Sequence, residues 1–133
     1  MSGSPRPIVV EIAPGELIDK ITILQIKATR IKEADKKAHV EAELGLLEKV
    51  RAEAVAASAQ LAKLSAQLLQ INERLWEIED AIRVCEGWGD FGPDFVELAR
   101  SVYRTNDLRA DLKRQINLLL GSALVEEKSY ADY

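Results

Sequence analysis

Helix-breaking residues are crowded into a few places in this chain, and the spaces between them dictate long helices. Pro5, Pro7 and Pro14 stand near the start, Gly87, Gly89, Gly92 and Pro93 surround Trp88 and Phe91, and Gly121 lies close to the end. Between Gly15 and Gly87 the only breaker is Gly45. This punctuation predicts an extended arm over 1–13 lying against a helix, a first helix over 14–37, a long second helix over 39–86, a third helix over 93–120 and a polar tail over 122–133. Gly45 costs roughly 1 kcal/mol relative to Ala inside a helix, so it marks the place for a bend in the second helix.

Apolar periodicity fills these segments. Leu17, Ile21, Leu24, Ala28 and Ile31 make one stripe, with Ile23 and Ile26 on the opposite side. A helix with two apolar faces is either enclosed in a bundle or offered to a partner, and Ile23 and Ile26 are the interface candidates. Leu61, Leu64, Leu68, Ile71, Leu75, Ile78 and Ile82 alternate in spacings of three and four. Extended backwards, that register collects Ala57, Ala54, Val50, Leu47 and Val40, and heptads held this long predict coiled-coil-like packing. Pro93 and Asp94 open the third helix, whose stripe runs through Leu98, Val102, Leu112, Ile116 and Leu119. Thr105 and Arg109 interrupt this stripe where apolar residues belong. At ~1.5 Å per residue the helices measure roughly 35, 70 and 40 Å, so the second serves as a spine with the others folded on its two halves. The fold class is an all-α antiparallel bundle of three main helices, and a spine so thinly covered predicts a homodimer or a partner protein that completes the bundle.

Composition excludes several functions. With 22 acidic against 18 basic residues the net charge is −4, which gives no pull towards nucleic acid. No run approaches the ~18 uncharged apolar residues of a membrane span, and the first residues lack the apolar stretch of a signal peptide. The single cysteine, Cys85, fits a reducing cytoplasm. No zinc spacing, phosphate loop, dinucleotide fingerprint or nucleophile–histidine pairing is present, and no cofactor or metal is expected.

Several groups carry possible chemistry. All seven aromatics, Trp76 to Tyr133, follow residue 75, as a pocket at the turn closed by the tail or as a small core around it. Glu77 and Asp80 resemble half of a pyrophosphatase metal motif whose second carboxylate pair is missing; beside Arg74 and Arg83 they read better as a solvated ion-pair face. Arg100, Arg104, Asp107, Asp111 and Arg114 form a mixed stripe along the third helix; paired arginines there suit a phosphate or carboxylate, but the alternation of sign points more simply to surface salt bridges. Arg109, in the core register, must be paired, with Glu77, Asp80 or a tail carboxylate as partners; structural pairing and ligand binding are both open to it.

The segments GELIDKITILQIKATRI (15–31), LWEIEDAIRVCE (75–86), ELARSVYRTNDLRADLKRQIN (97–117) and GSALVEEKSYADY (121–133) together resemble a small bacterial family of unknown function. Its members occur alone or beside proteins of surface-polysaccharide biosynthesis. The resemblance supplies no catalytic residue, but it singles out polar positions for ligand or partner binding. These match Glu16, Asp19, Lys20 and Lys27 in the first helix, and Glu77, Asp80 and Arg83 in the second. In the third helix they match Arg100, Tyr103, Asn106, Asp107, Arg109 and Lys113, and in the tail Glu126, Glu127, Lys128 and Tyr130. A tail with no core-forming pattern among such motifs is expected to dock on the helices or on a partner.

The functional expectation is a non-catalytic helical interaction or adaptor protein of the cytoplasm, assisting a glycan-assembly enzyme. The alternative is a small all-α enzyme or ligand-binding protein for an anionic substrate, held by Arg100, Arg109, Lys20 and Tyr103 with Glu77 or Asp80 as acid or base.

Overall fold

The computed structural model describes residues 5–133 and contains four helices: α1 (Pro14–Arg30), α2 (Ala34–Ala54), α3 (Ala59–Trp88) and α4 (Pro93–Leu119). The all-α class is right and the count of three helices is not. The first helix ends at Arg30 rather than 37, because Ile31 turns extended and sends the chain back along α1. The segment over 39–86 is also two helices. Its break falls at Val55–Ser58, while Gly45 lies uninterrupted inside α2. Ser58 explains the position: its hydroxyl accepts the Leu61 amide at 3.1 Å and caps α3.

The remaining boundaries follow the breakers. Pro14 opens α1 with Glu16 in its first turn, and Pro93 opens α4 with Asp94 in its first turn. Gly89 adopts φ 67°, a left-handed geometry that suits glycine, and lets the Asp90 amide reach the Cys85 carbonyl at 2.9 Å to close α3.

α1, not the long helix, is the shared element. It packs on each of the other three helices, and α3 packs on α4. Gly15 meets Lys113 and Asn117 while Asp19, later in α1, meets Arg109, earlier in α4, so these two helices run antiparallel. Asp19 and Thr22 meet Asn72, and Arg30 meets Glu77, so α1 and α3 run the same way.

Ile18, Leu61, Leu64, Leu68 and Ile116 form the central cluster, with Val55, Leu112 and Leu120 packed on it. Each buried Leu or Ile contributes roughly 1.5–3 kcal/mol. The periodic stripe from Leu61 therefore points inward as its spacing requires. Its backward extension does not: α2 buries no residue, and Val50 and Ala54 face solvent. α1 is enclosed on several sides, and Ile26 is covered within the chain while Ile23 is half-buried.

Candidate functional site: a buried polar core and a tail-covered cleft

Asp19 is 0% exposed, and a carboxylate so far from water needs compensating donors. Arg109 of α4 supplies a fork, its Nε donating to Oδ1 at 2.9 Å and its Nη2 donating to Oδ2. Asn72 of α3 donates from Nδ2 to the same Oδ1 at 2.9 Å, and that nitrogen also lies 2.9 Å from the Thr22 hydroxyl oxygen. Thr22 passes its own hydrogen to the Asp19 carbonyl at 2.8 Å. One carboxylate thus ties three helices together. The bond to Asp19 raises the Arg109 pKa further, against the opposing effect of burial, so its charge is permanent.

Lys113 lies one turn after Arg109 on the same face. Its Nζ stands 2.7 Å from Glu16 and 2.9 Å from Glu126, with the side chain only 8% exposed. Burial pulls this ammonium down, but hydrogen bonds to Glu16 and Glu126 and the charges of Glu16 and Asp19 outweigh it, and its pKa lies above the ordinary lysine value. A further turn along, Asn117 accepts the Gly15 amide at 2.7 Å, satisfying a donor that the start of α1 would leave bare.

The tail returns along α4 and is held by polar contacts. Lys128 reaches Asp107 at 2.8 Å, the Tyr133 hydroxyl donates to Asp107 at 2.6 Å, and Arg114 meets Glu127 at 3.3 Å. The Tyr103 and Tyr133 rings meet edge to face at 5.2 Å. The bond from Lys128, then that from Tyr133, lowers the Asp107 pKa, and the bond to Asp107 raises that of Tyr133. Between α4 and the tail lies a cleft of about 1100 Å³. Its cations Arg109, Lys113, Arg114 and Lys128 each already face a protein carboxylate.

Glu16, Asp19, Tyr103, Asn106, Asp107, Arg109, Glu127, Lys128 and Tyr130 therefore gather in or beside this assembly. Other expected site residues do not join it. Glu77 pairs with Arg30 at 3.3 Å, Arg83 with Glu79 at 2.8 Å and Arg100 with Glu97 at 3.4 Å, while Lys20 and Asp80 face solvent and Lys27 sits half-buried in the last turn of α1. The partner of Arg109 is Asp19, not Glu77, Asp80 or the tail: α1 is its neighbour, and α3 presents Asn72 at this level instead. The alternating charges of α4 pair largely with the tail and with Glu97 rather than with one another. The aromatics of the turn do not build a buried core: Phe91 and Phe95 meet edge to face at 5.2 Å, but Trp88 is 85% exposed and Phe91 is open as well. Among the described residues no cluster of three His, Cys, Asp or Glu side chains could hold a metal ion.

Sequence reasoning missed Gly15, Thr22, Asn72 and Asn117. Asn72 and Asn117 each follow an apolar core position directly, Ile71 and Ile116, and that adjacency is the only mark they carry.

A family model covers residues 8–132, almost the whole of the assembly just described. The chain belongs to DUF6165, a family of unknown function. No curated protein and no solved structure matches it. Membership confirms the resemblance to an uncharacterised family and leaves the activity of DUF6165 to be argued from the geometry. No helix among the described residues is long and apolar enough to cross a membrane.

Proposed function

We propose that this chain is a non-catalytic helical adaptor that works through protein contact, self-associates as a homodimer, and serves a glycan-assembly enzyme of the cytoplasm. The observation that carries this reading is α2. It is 21 residues long, buries none of them, and packs on α1, with one further bond from Arg51 to the Ser65 hydroxyl of α3 at 3.3 Å. Leu46, at 62% exposure, and Val50 face outward from it. A helix that adds so little to its own core is suited to completing someone else's.

The test compares the tagged chain with its Leu46→Glu, Val50→Glu variant in extracts of the source cell. A stoichiometric partner held by the parent and lost by the variant, at equal thermal stability, supports the adaptor. The absence of any stoichiometric partner overturns it.

A second reading has its own observation. Tyr103, Asn106, Asp107, Arg109, Lys113, Glu126, Glu127, Lys128 and Tyr130, nine positions marked by the family resemblance, line the cleft between α4 and the tail. An anionic ligand there would displace Glu126 or Glu127 from Lys113 or Arg114. Thermal stabilisation by a phosphate- or carboxylate-bearing compound, abolished by Arg114→Ala, favours this reading over the adaptor.

A further inference from the structure

Two exposed apolar segments lie at opposite ends of the bundle and take no part in α2 or the tail cleft. One is the arm before α1, where Ile8 is 93% exposed and Val9 and Val10 are open beside it. The sequence predicts this arm to lie against a helix; instead residues 5 to 12 are all exposed, and none makes a backbone hydrogen bond to the rest of the described chain. The other is the α3–α4 turn, where Val84, Trp88, Phe91 and Val96 are exposed together.

The turn is acidic, and the leading end of the arm is basic. Residues 86–97 contain Glu86, Asp90, Asp94 and Glu97 and no lysine or arginine. Glu97 already faces Arg100 and Arg104, which leaves the three others around Trp88 and Phe91. The arm brings Arg6 directly ahead of Pro7 and its aliphatic run, while its one acid, Glu11, stands at the other end of that run. A guanidinium followed by aliphatic side chains fits an acidic rim around aromatic faces, through ion pairing, cation–π contact and apolar burial.

The chain cannot make this contact with itself. Asn72 is level with Asp19, and α3 continues from there to Trp88 for roughly 24 Å at ~1.5 Å per residue. The arm leaves α1 at Ala13, on the far side of Asp19, and the stretch back to Ile8 spans at most about 18 Å when fully extended. The occupant therefore comes from another molecule. Two copies laid side by side in opposite directions bring each arm to the other's turn, a closed two-fold arrangement.

We propose that residues 6–12 of one copy dock on the α3–α4 turn of a second copy, and reciprocally. This inference rests on the homodimer of the adaptor reading and specifies its contact. Sedimentation velocity of the full chain at micromolar concentrations tests it, with Val9→Asp and Trp88→Ser as variants at solvent-exposed positions and circular dichroism melting to verify folding. The expected result is a parent dimer of twice 14.8 kDa that each variant weakens on the order of tenfold or more. Arg6→Glu should weaken it too, and adding Glu86→Arg should restore it. A dimer that persists in Val9→Asp and Trp88→Ser overturns the arm exchange and leaves the homodimer standing. A monomeric parent overturns both. Failure of the charge exchange to restore a dimer lost in Arg6→Glu removes the assignment of Arg6 to the turn and overturns the proposal as stated.

Discussion

Gly15 approaches α4 so closely that a β-carbon added to it would sit 2.5 Å from the carbonyl oxygen of Lys113 and 2.9 Å from the side-chain oxygen of Asn117. Backbone cannot yield at the first of these contacts without moving a helix. Gly15→Ala should therefore destabilise the chain by about 1–3 kcal/mol, despite alanine's better helix propensity, as measured by urea unfolding. A neutral or stabilising outcome would mean that α1 and α4 are further apart than described.

Asp19 and Arg109 should show strong energetic coupling. Arg109→Ala leaves a carboxylate in the core with only the Asn72 side chain to hydrogen-bond it and the Lys113 charge nearby, and Asp19→Ala leaves a half-buried guanidinium. Each single change should cost on the order of 3–5 kcal/mol, and the double change clearly less than their sum. Additive losses in a double-mutant cycle would place the two groups in separate environments.

The tail should leave α4 at both ends of the pH scale. Asp107 has a lower pKa docked than free, so docking is fully supported above the ordinary aspartate value of about 3.9 and fades as pH falls through the lower docked value. Lys113 and Tyr133 are raised, so their contributions hold below about 10.4 and 10 respectively and are lost as pH rises through their higher folded values. Ring contacts between Tyr103 and Tyr133, followed by NMR, should persist between these limits and vanish outside them. Lys113→Met should shrink the alkaline loss, and contacts indifferent to pH would contradict the account.

Gly45 and Ser58 should respond oppositely to alanine. Gly45 is inside α2 with open space around its missing β-carbon, so Gly45→Ala should stabilise by about 0.5–1 kcal/mol. Ser58→Ala removes the α3 cap and should cost about 1 kcal/mol. Thermal melts of the two variants that move together would overturn the placement of the break.

These two residues also show what the chain made legible. The stripe from Leu61 to Ile78 announced its own burial because spacing alone puts those side chains on one face. The break at Ser58 was hidden among alanines, since a serine cap leaves no mark on a pattern built from apolar periodicity. Arg109 declared itself by standing in a core register. Its partner did not, because Asp19 in a first turn has a sufficient local role opposite the helix dipole. Whether a carboxylate faces the dipole or a distant guanidinium is decided by tertiary packing, which a single helix does not encode. The docking of the tail was anticipated from its composition and its place among the family motifs, whereas its landing point at Asp107 depends on how far α4 extends beside it.

Because α1 takes its partners from the far end of the chain, the molecule is badly suited to folding in the order of its synthesis. Asp19 waits for an arginine 90 residues later, and the Gly15 amide for an asparagine 102 residues later. A growing chain released before α4 emerges would carry an unpaired acid on the helix that the finished fold buries most, exposed to every neighbour. Loop closure over such distances slows folding, so α1 is the segment most in need of shelter during translation.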